Sequence, residues 1–131
     1  MGHKDNNFNV KERLGSFKYA FKGVKHVLKA EHNMWIHLSV AFVVIVLGLF
    51  LKISRYDWMI VSLCIGFVLS AEIMNTAIEK LTDKVSPERN EMAGLVKDIA
   101  ASAVLVSVIA SVVAGLLVFV PPLLQLISAC P

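Results

Sequence analysis

The stretch that decides the fold is Trp58-Met-Ile-Val-Ser-Leu-Cys64-Ile-Gly-Phe-Val-Leu-Ser-Ala-Glu72-Ile-Met-Asn75-Thr-Ala-Ile78, which carries a single charge, Glu72. A run of this length matches the roughly 20 residues a helix needs to cross a bilayer core of about 30 Å. Trp58 stands where an aromatic anchor at the membrane–water boundary belongs. Two further apolar runs flank it, one from about Trp35 to Leu51 and one from Ile99 to about Val120, the latter predicted to end at Pro121-Pro122. A chain of 131 residues is one domain's worth and cannot bury three such helices from water. The sequence therefore predicts an all-α membrane protein, a single domain over 1–131 with spans near 35–51, 58–78 and 99–120.

Composition agrees. The chain is 56% hydrophobic, above the ~45–50% apolar content of soluble domains, and its mean hydropathy is +0.68. A net charge of +3 is too small to mark a nucleic-acid binder. Its cations sit next to apolar runs, where anionic lipid or a nucleotide is the natural counter-charge. Cys64 lies inside an apolar run and Cys130 is next to last, so neither a disulfide framework nor a metal pattern arises. The first thirty residues hold no early apolar run, and no secretory leader is expected in them.

Ahead of the first span, Met1–Asn9 is polar and reads as disordered. From about residue 10 to 30 the apolar residues Val10, Leu14, Phe17, Phe21, Val24 and Leu28 recur at steps of four and three, drawing one stripe along a helix. Lys11, Arg13, Lys18, Lys22, Lys25 and Lys29 flank it. A lysine-flanked stripe with aromatics suits a helix lying in the membrane interface; packing on protein is the alternative.

Cations also set orientation. Seven precede the first span (Lys4, Lys11, Arg13, Lys18, Lys22, Lys25, Lys29), two lie in the first loop (Lys52, Arg55), and four in the second (Lys80, Lys84, Arg89, Lys97); none follows the third span. The N-terminus and second loop are expected in the cytoplasm and the C-terminus outside. In the third span Ala103, Ser107, Ser111 and Gly115 recur every four residues, a small-residue face that lets helix backbones approach within or between chains.

The chemistry is carried by charges in awkward places. Glu72 lies about 12 Å along the helix from Lys80, inside the apolar zone, where a carboxylate is costly and usually functional. Asn75 and Glu79 share its helical face, and Asp83 continues it. Glu31 precedes the first span and Lys97 and Asp98 precede the third, so four carboxylates, an amide and a lysine are expected to come from three helices to one level. Carboxylates at a polar boundary suit magnesium shared with substrate phosphates, a lysine supplies a point charge for phosphate, and a carboxylate withdrawn from water suits a general base facing a lipid hydroxyl. The plain alternative is helix-to-helix glue at Glu72 and Asn75, with solvated helix ends elsewhere.

These residues also carry a resemblance. Glu72-Ile-Met-Asn75-Thr-Ala-Ile-Glu79-Lys-Leu-Thr-Asp83, then Glu91-Met-Ala-Gly94-Leu-Val-Lys97-Asp98, and upstream Ser16-Phe-Lys-Tyr19-Ala-Phe-Lys22-Gly23 with Ala30-Glu31-His-Asn, resemble in order the motifs of the small bacterial lipid kinases, the diacylglycerol and undecaprenol kinases. The likeness covers about residues 13 to 120. It implies a homotrimer with active sites shared between subunits, using ATP and Mg2+ to phosphorylate a membrane lipid alcohol. By position it makes Glu72 the general base at the lipid substrate and Glu31 and Glu79 the magnesium ligands. Asn75, Lys97 and Asp98 would arrange the phosphates, with Tyr19, Gly23, Glu88, Arg89 and Asn90 beside the nucleotide. There is no P-loop, so the apparatus would be unrelated to that of P-loop kinases.

Glu12 stands where the diacylglycerol branch has an arginine, and Pro87 and Arg89 also depart from that branch. Ser16–Phe21 and Glu31-His32-Asn33, with His37, resemble the undecaprenol branch. The expected activity is thus phosphorylation of an undecaprenol-type polyprenol, with diacylglycerol second. A reading from another class is a non-catalytic assembly or ion-binding module centred on Glu72, which has no use for Glu31, Lys97 or Asp98.

Overall fold

In the computed structural model the chain forms four helices: α1 (Val10–Ala30), α2 (His32–Leu51), α3 (Arg55–Val85) and α4 (Glu91–Ser128). The structure describes residues 10–88 and 90–128, with side chains from residue 15 onward. The N-terminal segment read as disordered, Cys130 and Arg89 lie outside the described residues. Three of the helices, α2 to α4, are long and apolar enough to cross a membrane. Phe42, Leu63 and Leu117 are typical of their surfaces, which the chain leaves largely uncovered. Contiguous apolar surface on this scale belongs against lipid or another protein.

Helix α1 carries the apolar stripe of the N-terminal segment. Phe17, Phe21 and Val24 of its stripe are exposed rather than packed on protein, and Val27 is the buried contact. Glu31 turns the corner into α2 alone. Its backbone is extended (φ −114°, ψ 118°), and its N–H still donates to Val27 O at 2.9 Å. Trp35 clasps the same corner from α2, its indole Nε1 donating to Leu28 O at 2.8 Å.

The α2–α3 turn is tightly specified. Lys52 adopts the left-handed conformation (φ 49°, ψ 48°) that more often selects glycine, and the N–H of Ile53 reaches back to Gly48 O. A Cβ on Gly48 would stand 3.0 Å from the Trp58 ring, so this position needs glycine for the close approach. Ser54 and Asp57 then form a reciprocal capping box that starts α3. Around this turn Val61, Val118 and Phe119 form the apolar core, with Trp58, Leu47 and Leu123 against it.

Helix α4 continues past the prolines expected to end the third span, through Pro121 and Pro122 to Ser128. Two prolines withdraw the N–H groups that would serve the carbonyls of Leu117 and Val118, which normally stops a helix. Here Val118 and Phe119 are packed in the core immediately before them, holding that turn in place. Membrane helices tolerate such interruptions more readily than soluble ones. At 1.5 Å per residue, α3 and α4 measure about 46 and 57 Å, so both project beyond a bilayer core.

Candidate functional site

Helices α3 and α4 pack antiparallel, and at the end near the second loop their register brings Lys97 to Asp83 as an ion pair. The small-residue face of α4 turns its middle toward α3. Ser107 is 1% exposed and donates to Ala103 O at 2.7 Å, while Ala103 itself is exposed. Of the four residues of that face only Ser107 is buried, and Gly115 has open space beside it.

Glu72 is 2% exposed, in the middle of an apolar helix. Thr76 beside it satisfies its own hydroxyl by donating to Glu72 O at 3.0 Å. The carboxylate faces α2, where His37 Nε2 stands 3.7 Å from Glu72 Oε2. One turn on, Asn75 donates from Nδ2 to Glu79 Oε1 at 3.0 Å, and its buried Oδ1 has no protein partner among the described residues. Across at the α1–α2 corner, Lys80 Nζ approaches Glu31 Oε1 at 3.4 Å. Glu31 and Glu79 both lie within Coulombic reach of Glu72.

These side chains border a cavity of about 290 Å³ lined by Asn33, His37, Glu72, Asn75, Ala101 and Val108 among others. It adjoins an apolar cavity of about 340 Å³ between α2, α3 and α4, and Ile36, His37 and Val108 belong to both walls. The first compartment holds the carboxylate, two amides and a histidine among Ile36, Val104 and Leu105, and is the more polar of the two; it opens beside a greasy one, an arrangement that can receive an amphiphile with one polar end.

The remaining expected residues are distributed differently. Lys97 does not stand at the depth of Glu72. It meets Asp83, eleven residues or about 16 Å farther along α3. With Glu88, Asn90 and Gly94 it borders a separate open cleft of about 710 Å³. Asn90 has structural work there: its Oδ1 caps α4 by accepting from Ala93 N–H at 2.8 Å, and its Nδ2 donates to Ser86 Oγ at 2.6 Å. Asp98 is exposed on α4. Tyr19 is exposed on α1 with Lys22 Nζ 5.5 Å from its ring centre, and nothing approaches within 4 Å of a Cβ built on Gly23. Among the described residues no hydrogen bond or ion pair links Tyr19, Gly23, Glu88 or Asp98 to the carboxylate cluster. The spacing of residues did not predict the partnership of Lys80 with Glu31 or of His37 with Glu72. Each pair joins two helices, and its nearest sequence signal was an ionisable side chain close to an apolar run.

No group of three acidic, histidine or cysteine side chains converges as a ready metal cage among the described residues. The donor chemistry still fits magnesium. Glu31, Glu79 and the unpartnered Asn75 Oδ1 are all oxygen donors, and this ion normally takes one or two carboxylates and completes its shell with water and phosphate oxygens.

The architecture is that of a small integral membrane protein whose helical bundle encloses a carboxylate. The chain belongs to the prokaryotic diacylglycerol kinase family, whose model matches residues 18–119, and is a lipid kinase. As such it transfers a phosphoryl group from a donor such as ATP to a lipid. It is 35% identical to the undecaprenol kinase of Bacillus subtilis over 94% of this chain and 100% of that protein. It is 35% identical to a diacylglycerol kinase of Synechocystis over 86% of this chain and 65% of that protein. With the diacylglycerol kinase of Haemophilus influenzae it shares 27% over 81% of this chain and 92% of that protein.

Proposed function

We propose that this protein phosphorylates an undecaprenol-type polyprenol, taking the γ-phosphoryl group of ATP with magnesium. The observation that carries the reading is the buried carboxylate of Glu72, set in a cavity of mixed lining that adjoins a more apolar one. The polyprenol preference is supported by the likeness to the Bacillus subtilis undecaprenol kinase along that protein's whole length. Diacylglycerol is the second candidate.

In this reading the lipid hydroxyl enters the polar cavity with its chain in the apolar one. Glu72 takes the hydroxyl proton as the oxygen bonds to the γ-phosphorus and the bond from that phosphorus to the β–γ bridging oxygen breaks, releasing ADP. Glu31 and Glu79 hold magnesium, which supplies charge neutralisation for the phosphates. Asn75 orients Glu79 through its 3.0 Å hydrogen bond and offers Oδ1 to the same centre. Lys97 and Asp98 arrange the phosphate chain. Tyr19, Gly23, Glu88, Arg89 and Asn90 lie beside the nucleotide, drawn in from α1 and the second loop.

The N-terminus and second loop face the cytoplasm, where ATP is found, and the C-terminus lies outside. The protein acts as a homotrimer with sites completed between subunits. That assembly is supported by the extensive apolar surface a single chain leaves uncovered, and by the exposure of Tyr19 and Asp98.

The test is ATP-dependent phosphorylation by purified protein in lipid or detergent, with and without magnesium, offering undecaprenol and diacylglycerol in parallel. Phosphorylated polyprenol formed in preference to phosphatidic acid is the expected result. Preference for diacylglycerol would move the protein to the other branch, and phosphorylation of neither alcohol would remove the assignment.

A further inference from the structure

His37 is the one ionisable side chain in α2 beyond His32 at its first position, so it sits alone within the apolar length of that helix. An ionisable group placed there is costly unless it has a partner or a task. Its surroundings argue against simple packing. It forms part of the wall between the polar and apolar cavities, so it borders two open spaces rather than a filled core. Its side chain is 18% exposed and that of Glu72 only 3%, so this contact is shielded from water on the side of the carboxylate.

We propose that His37 is a positioning residue for Glu72, and that it also marks the boundary between the headgroup end and the chain of the lipid substrate. The inference rests on the reading of Glu72 as general base. At 3.7 Å the Nε2–Oε2 contact is longer than a hydrogen bond. Catalytic contacts are often loose before substrate arrives and tighten in the complex. In this proposal Nε2 carries the proton and closes on Oε2 as substrate binds, so that one carboxylate oxygen is held toward α2. The other, Oε1, is left to accept the proton of an alcohol whose hydroxyl lies in the polar cavity. A carboxylate free to rotate about its side chain would lose that alignment, and misplacement by about 1 Å can cost on the order of 10²-fold in rate.

The experiment compares the wild type, His37→Phe and His37→Gln in the full-length protein, measuring kcat, lipid KM and binding of a fluorescent ATP analogue. Glutamine can present an amide N–H near the position of Nε2, whereas phenylalanine fills the space without a donor. His37→Phe is expected to lower kcat on the order of 10²-fold with nucleotide affinity unchanged, and His37→Gln to recover most of that loss. A wild-type kcat in His37→Phe would overturn the proposal. So would a glutamine variant as slow as the phenylalanine one, or a loss confined to lipid KM, which would assign His37 to chain binding alone. Should His37→Phe prove unstable by thermal unfolding, His37→Leu takes its place as the arm without a donor. If the wild type phosphorylates neither alcohol, the reading of Glu72 has failed. If the wild type is active, Glu72→Gln is inactive and the His37 variants match the wild type, only the role of His37 has failed.

Discussion

Lys80 Nζ lies 3.4 Å from Glu31 Oε1, tying α3 to the single-residue corner between α1 and α2. The pair gives Glu31 a cation where magnesium would otherwise be its counter-charge. Because the lysine is 53% exposed, the contact is a surface ion pair worth no more than about 1 kcal/mol. Lys80→Met is therefore expected to leave thermal stability nearly unchanged. With Glu31 released, the magnesium concentration giving half-maximal activity should fall several-fold. A magnesium titration of the variant against the wild type measures this, and a higher requirement would show that Lys80 assists the metal site instead of competing for it.

Asn75 joins the buried face of α3 to Glu79 and leaves Oδ1 without a protein partner. Asn75→Asp would replace the donor to Glu79 with a further acidic group, between Glu72 and Glu79 on that face. Repulsion between neighbouring carboxylates should displace Glu79 and lower kcat by about 10²-fold or more. Steady-state kinetics checks the rate, and circular dichroism should show the helices intact.

The turn far from the site provides a control. A Cβ at Gly48 meets Trp58 at 3.0 Å and Ile53 at 3.1 Å, so Gly48→Val should destabilise the fold by roughly 1–3 kcal/mol through overpacking. The folded fraction should keep its kcat, because Trp58 at the turn lies about 21 Å along α3 from Glu72. Thermal unfolding in detergent and activity per folded protein separate the two effects.

Lys52 offers the opposite change. Its φ of 49° is strained for a side chain bearing a Cβ and easy for glycine, so Lys52→Gly should stabilise the protein by on the order of 1 kcal/mol. A lower unfolding midpoint would mean that the lysine side chain contributes more at the membrane boundary than its backbone strain costs.

How far the sequence could be read depends on the range of each signal. The spans and the stripe of α1 were legible because hydrophobic length and the 3.6-residue repeat are local properties. The shared face of Glu72, Asn75 and Glu79 was legible for the same reason, and the Asn75–Glu79 hydrogen bond follows from their i, i+4 spacing. The helix continues beyond the prolines that were expected to close the third span, because proline's rule comes mainly from helices in water and Val118 and Phe119 are packed just before them. Depth was misjudged at Lys97. Distance from the apolar run places a residue only loosely, whereas the antiparallel register of α3 and α4 sets it beside Asp83. Lys80 and His37 were missed as partners because their contacts depend on how α2 and its corner meet α3. Asn90 shows the converse difficulty, since a residue matched to a nucleotide-side motif also has a structural task at the start of α4.

The most direct test of the account is the Glu72→Gln variant, which keeps the shape of the side chain and removes its ability to accept the lipid proton. Purified in lipid with ATP, magnesium and undecaprenol, it should bind the nucleotide analogue as the wild type does and form essentially no phosphorylated lipid. Phosphorylation by Glu72→Gln at a rate near that of the wild type would contradict the account, because the buried carboxylate would then be structural and the base would have to lie elsewhere.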